Sequence, residues 1–140
     1  KLYGCVLGEG DGSVNLNTDE KNTGNPYISD KGDYPAKMRT LDSFYFDRVD
    51  FIKIDVEGYE MNVLLGAEHT IRTCKPILVL ETKDKHYERY GTSFRKIQDW
   101  LEKRNYVIDN VVNSEAIFVD KNLPTRTYFA SKHIWEDNDN

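Results

Sequence analysis

Ten residues near the middle of the chain, Phe51-Ile52-Lys53-Ile54-Asp55-Val56-Glu57-Gly58-Tyr59-Glu60, restrict its fold more than any other stretch. The run opens on apolar, β-branched side chains and reads as a buried strand. It closes on carboxylates and a glycine, and the pattern then changes period. Tyr59, Val63, Leu64, Ala67 and Ile71 fall on one face of a helix. Strand, acidic turn and helix make half of a βαβ unit. Pro76 stops that helix, and a second apolar strand, Ile77-Leu78-Val79-Leu80, follows and ends at Glu81. A helix between two apolar strands predicts parallel neighbours with both faces covered, which sets Asp55 and Glu81 side by side at one sheet rim. Ligands of open α/β sheets bind outside such carboxyl ends.

The flanking segments extend this frame. Leu2 to Leu7 reads as a strand. Gly8-Glu9-Gly10-Asp11-Gly12 lacks the GxGxxG spacing and leads into the alternating Val14 and Leu16, so it reads as a hairpin turn. Asn17 to Lys37, with Gly24, Pro26, Gly32 and Pro35, reads as a long loop. Leu41 to Phe46 holds one helical turn, and Thr82 to Gly91 a loop with another. Thr92 or Ser93 caps a helix carrying Phe94, Ile97, Trp100 and Leu101, which stops at Asn105. Tyr106 to Val112 and Ala116 to Val119 are strands joined by Asn113-Ser114-Glu115, and pair antiparallel. The tail beyond Pro124 is polar, with fraying expected from Glu136 to Asn140. The expected fold is α/β, with a mostly parallel sheet and a C-terminal antiparallel hairpin.

With 140 residues, 39% hydrophobic and 31% charged, the chain is of a size and mix for one soluble domain. Its expected divisions are a strand, hairpin and loop over 1–37, an α/β core over 38–122 and a tail over 123–140. A net charge of -5 argues against a nucleic-acid surface. No apolar run reaches spanning length, and no signal-peptide pattern opens the chain, so no membrane partner is expected. Cys5 and Cys74 sit in apolar contexts and read as buried thiols, which favours a cytoplasmic setting.

The residues suited to chemistry are Asp55, Glu57 and Glu81. Three acids on one rim can hold Mg²⁺ or Ca²⁺, or one of them can accept a proton and fix a hydroxyl or amine. Capping of the following turn is the structural alternative, and Glu60, in the first helical turn, fits it through the helix dipole. Lys53 lies in a strand expected to be buried and reads as the partner of a nearby acid. Gly58 permits a tight turn at the strand end. His86 is near enough to Glu81 to act as a base, but reads first as a solvent-facing loop residue. His69 and His133 carry no signal. Tyr87 and Tyr90 either line a pocket or pack over the sheet edge.

The run from Asp50 to Glu60, continued through Val63-Leu64 and Gly66-Ala67, resembles the FkbM family of methyltransferases dependent on S-adenosylmethionine. Pro76 to Glu81 is similar to the strand that follows in that family, and Thr40-Leu41-Asp42 to the segment before it. Val6-Leu7-Gly8-Glu9 with Gly12-Ser13-Val14 looks like the family's third strand and hairpin. The resemblance implies a partial Rossmann-like, class I methyltransferase sheet and methyl transfer to a hydroxyl of a small molecule or sugar. It makes Asp55 the acid beside the donor methyl and the acceptor, with Glu57 and Glu81 in the same pocket as catalytic residues. Val6 and Leu7 would approach the adenine of the donor.

In that family a glycine-rich donor-binding turn and a ribose-binding acid precede the third strand, where this chain starts. The chain is therefore expected to be the carboxy-terminal part of a longer domain, and to bind the donor poorly alone. It is also expected either to self-associate through the strand Phe51–Val56 or to cover that edge with Leu2–Leu7. Two alternatives stand beside methyl transfer. One is a catalytically inactive binding or assembly module, and the other a metal-assisted hydrolase or transferase using Asp55, Glu57 and Glu81.

Overall fold

The computed structural model describes residues 1–19 and 22–123. His133, the fraying expected over Glu136–Asn140 and the rest of the expected tail beyond Leu123 lie outside the described residues. In chain order the strands are β1 (Val6–Leu7), β2 (Gly12–Asp19), β3 (Asn22–Ile28), β4 (Tyr34–Arg39) and β5 (Phe51–Ile54). Then come helices α1 (Glu60–Leu65) and α2 (Glu68–Cys74), strand β6 (Ile77–Glu81), and helices α3 (Asp84–Tyr87) and α4 (Phe94–Glu102). Strands β7 (Tyr106–Val112) and β8 (Glu115–Asp120) complete the described fold. Short 3-10 turns lie at Asp42–Phe44 and Glu88–Tyr90.

The strands form two sheets, ordered β1-β4-β2-β3 and β5-β6-β8-β7. The α/β class holds, but the mostly parallel sheet does not. Among the described residues only β1–β4 and β5–β6 pair in parallel; the other four pairings are antiparallel. The two mainly apolar runs do pair in parallel, with Ile54 opposite Leu80. β4 and β7 keep exposed positions, and one wet face suits antiparallel pairing, whereas β8 is mostly buried between β6 and β7.

Three further expectations fail in the first sheet. Leu2–Leu7 is a strand only at Val6–Leu7, and Leu2 is almost fully exposed. The turn at Gly8–Gly12 does not close a hairpin, because β4 lies between β1 and β2 and pairs with both. The expected loop over Asn17–Lys37 holds β3 and most of β4. Prolines led that reading, and here they sit where a missing N–H costs little. Pro26 is on the outermost strand, and Pro35 pairs only with β2, since β1 reaches no further than Met38 and Arg39.

In the second sheet the helices cover one face. Leu78 and Leu80 of β6 and Ala116 and Phe118 of β8 are fully buried against Val63, Leu64, Ala67, Ile71, Ile97 and Leu101. Each large aliphatic side chain so placed contributes roughly 1.5–3 kcal/mol. The single helix expected over Tyr59–Ile71 is two, broken at Gly66. A Cβ on Gly66 would lie 1.9 Å from the Gly8 carbonyl oxygen, so the loop after β1 presses into the break. From the 3-10 turn, Asp42 accepts hydrogen bonds from the backbone N–H groups of His69 and Thr70 and from the Thr70 hydroxyl, at 2.9, 2.8 and 2.7 Å. It thereby satisfies orphan donors at the start of α2.

Elsewhere the patterns translate directly. Lys75, in the left-handed conformation, ends α2 just before Pro76. Ser93 caps α4 by accepting from the Lys96 N–H at 3.3 Å. Asn105, at φ +70°, turns the chain after α4. Cys5 and Cys74 are free thiols, half-buried where full burial was expected. Leu2–Leu7 does not cover β5, which ends the second sheet with Phe51 56% exposed. No helix among the described residues is long and apolar enough to cross a membrane.

Candidate functional site

The parallel pairing of β5 with β6 carries both chains to one rim. Asp55 follows Ile54 there, and Glu81 follows Leu80, its ladder partner. Beyond β5 the backbone makes a left-handed turn, with φ +54° at Glu57 and +104° at Gly58. At Gly58 a Cβ would lie 2.1 Å from the His86 carbonyl oxygen, so only glycine fits the turn as packed. This close approach brings α3 down onto the rim.

The result is a cluster of Glu57, Glu81 and His86. His86 Nδ1 lies 2.9 Å from Glu81 Oε2 and 3.2 Å from Glu57 Oε2. Lys83 Nζ holds the other oxygen of Glu81 at 2.5 Å. Burial alone would raise the Glu81 pKa, but the hydrogen bonds from Lys83 and His86 outweigh it and hold the carboxyl below its ordinary range. Ligand atoms of Glu57, Glu81 and His86 all lie within 4.8 Å of one another, and they are the group here able to hold a metal.

His86 is thus the residue that the sequence reading underrated. It is three-quarters shielded from solvent and packed against two acids, not a solvent-facing loop residue. What places it is its neighbour Tyr87, fully buried, whose hydroxyl donates to the Glu81 carbonyl. A one-turn helix with a buried aromatic anchor is the signal that could have found it.

Asp55 stands on the same rim but outside this cluster. Its side chain is half-exposed, and Lys53 Nζ lies 3.9 Å from its Oδ2. Lys53 is exposed instead of buried, and its closer partner is Glu115 at 2.7 Å, so the expected ion pair holds in a wetter setting. Glu60 is more than a first-turn cap. It is completely buried, and its Oε1 accepts from the Val56 N–H at 3.2 Å. Its Oε2 has no hydrogen-bond partner among the described residues. Burial first, and the nearby Glu81 charge after it, push the Glu60 pKa up.

A cleft of about 770 Å³ opens between the two sheets beside this rim. Val6, Leu7 and Leu16 form an apolar wall on one side, and Asp55 and Glu57 line the other. The seam between the sheets is polar at its edge. Tyr59 Oη and Asn62 Nδ2 both donate to Glu9 Oε2 at 2.9 Å. Tyr90 Oη donates to the Ile28 carbonyl at 3.0 Å and its ring meets Tyr59 edge-on. Tyr87 packs in the core, whereas Tyr90 closes this seam.

No curated protein matches the chain. The crystal structure of methyltransferase FkbM from Methylobacillus flagellatus KT is similar, with a TM-score of 0.55 at 19% identity. The likeness covers 85% of this chain and 28% of that one, and at this identity it speaks for the fold. The methyltransferase FkbM domain matches residues 5–108, from the start of β1 into β7. By that match the chain belongs to the FkbM methyltransferase family.

Proposed function

We propose that the chain forms the acceptor side and the adenine wall of an S-adenosylmethionine-dependent O-methyltransferase acting on a hydroxyl of a small molecule or sugar. The observation that carries this reading is the cleft, which faces an apolar wall, Val6 and Leu7, with a carboxylate rim, Asp55 and Glu57. Its size falls in the range of about 300–1,000 Å³ usual for small-molecule sites. The fit is chemical: the apolar wall suits the flat face of an adenine, and the acids suit a sulfonium and a hydroxyl.

When bound, S-adenosylmethionine supplies a methyl group activated on a sulfonium. Asp55 would orient the acceptor hydroxyl and take its proton as the oxygen receives the methyl group. Glu57 and Glu81 hold the rim negative, and Glu81 stays ionised through Lys83 and His86. The edge of β5, which ends its sheet among the described residues, offers a surface for self-association that sedimentation of the chain would register. A cytoplasmic setting goes with this reading.

The test is transfer of labelled methyl groups to a panel of alcohols and sugars by the full-length protein. Asp55→Asn is expected to cut turnover by roughly 10²–10⁴-fold with donor binding retained. Unchanged turnover would remove Asp55 from the mechanism and leave it a structural cap.

A further inference from the structure

Two carboxylate oxygens converge on a ring nitrogen that carries at most one hydrogen. Glu81 Oε2 and Glu57 Oε2 lie 2.9 and 3.2 Å from His86 Nδ1. One N–H serves one acceptor well, so the second oxygen sits close to a like charge without a hydrogen of its own. The side chains are 20%, 12% and 25% exposed for Glu57, Glu81 and His86, and water screens them poorly. We propose that Glu57, Glu81 and His86 form a binding site for a divalent first-row transition-metal ion, with Glu57 Oε2, Glu81 Oε2 and His86 Nδ1 as its ligands.

Two of the three ligand separations match an octahedral ion, and the third lies within 4.8 Å. Ligand bonds of about 2.1 Å set neighbouring ligands about 3 Å apart, and the two observed separations bracket that value. One imidazole with two carboxylates suits Mn²⁺, Fe²⁺, Co²⁺ or Zn²⁺ better than Ca²⁺, which takes oxygen ligands in larger number. On binding, the ion replaces any proton on Nδ1, which passes to solvent.

The surroundings support the ligands. Lys83 on Glu81 Oε1 leaves Oε2 for the ion and fixes the carboxylate plane. The contact between Gly58 and the His86 carbonyl fixes the backbone of the third ligand. A separate observation is Glu60, whose carboxylate is buried with Oε2 unpartnered among the described residues and lies within electrostatic range of Glu81. The Glu81 charge is among the causes that hold the proton on Glu60, so the two acids resist ionising together, and a cation at the cluster relieves that conflict. Glu57 also lines the cleft, so the open coordination positions lie at its margin.

The probe is Mn²⁺ added to the full chain and followed by loss of its free-ion paramagnetic resonance signal, with Zn²⁺ and Mg²⁺ as competitors. The expected result is one saturable Mn²⁺ site, displaced more readily by Zn²⁺ than by Mg²⁺. Affinity is expected to fall about tenfold or more in His86→Ala and in Glu57→Gln. Thermal unfolding gives a second reading: Mn²⁺ raises the midpoint of the wild type and leaves that of Glu57→Gln unmoved. Should His86→Ala unfold, Glu57→Gln decides alone. No saturable binding to the wild type, or equal binding by the variants that fold, overturns the proposal. The readout makes no use of methyl transfer, so it stands or falls separately from the proposed activity.

Discussion

Replacing Gly58 by alanine tests whether the turn after β5 and the backbone of α3 are one packed unit. The residue has φ +104°, and a Cβ there would lie 2.1 Å from the His86 carbonyl oxygen and 2.5 Å from its carbon. A left-handed backbone costs a residue with a Cβ about 1–2 kcal/mol. The carbonyl must also retreat by about 1 Å to restore ordinary contact, and the imidazole moves with it. That loosens the 2.9 Å bond to Glu81. A hydrogen bond to a charged group contributes about 1.5–3 kcal/mol, discounted here because the imidazole is a quarter exposed. Together these give a loss of about 3 kcal/mol, large against a net stability of about 5–15 kcal/mol. Gly91 is the control. It has φ +65° and nothing within 4 Å of its would-be Cβ, so Gly91→Ala carries the backbone cost of about 1 kcal/mol alone. Urea unfolding followed by circular dichroism should separate the two variants by about 2 kcal/mol. Equal losses would refute the close approach as the reason for glycine at this position.

Asp42→Ala leaves the first N–H groups of α2 without their remote acceptor, and should cost about 2–3 kcal/mol in the same assay. Burial holds the Glu60 carboxyl above its ordinary range. Its contribution therefore favours folding below the unfolded pKa and is lost as pH rises through the raised folded value. Glu60→Gln should gain stability over the wild type as pH rises above the unfolded carboxyl value, and a constant difference across that rise would contradict the buried charge. Glu81 is held below its ordinary range, so its contribution is present above the unfolded pKa and is lost as pH falls through the lowered folded value. Glu81→Gln should flatten the acid limb of the stability curve below about pH 5, and an unchanged slope there would show the Lys83 and His86 contacts to be energetically idle.

The second sheet was largely legible, because two signals overlap in it. Ile52, Ile54 and Leu78 to Leu80 mark strands by composition, and the stripe from Tyr59 to Ile71 marks the helical crossover between them. Adjacency of Asp55 and Glu81 then follows from the handedness and shortness of such crossovers. The first sheet was not legible. Its strands pair around a polar stretch with prolines at one-sided positions, and local pattern does not say which strand lies between β1 and β2. The break at Gly66 depends on Gly8, far away in sequence, which no periodicity within the helix reveals. His86 escaped for the same reason: its place is set by Tyr87 in the core and by the bare backbone of Gly58.

The order β5-β6-β8-β7 has a consequence for synthesis of the chain. Strand β8 is the last of the four to be made, yet it lies between β6 and β7. While a ribosome is still adding Glu115–Asp120, β6 has only β5 beside it in the sheet and β7 has no strand neighbour. The first sheet, closed by Arg39, can settle as soon as its own residues emerge. The rim that carries Glu57, Glu81 and His86 must instead wait on a parallel pair with an open flank. The nascent chain thus spends an interval with the backbone N–H and C=O groups along that edge of β6 unpaired, and the hairpin of β7 and β8 acts as the latch that ends it.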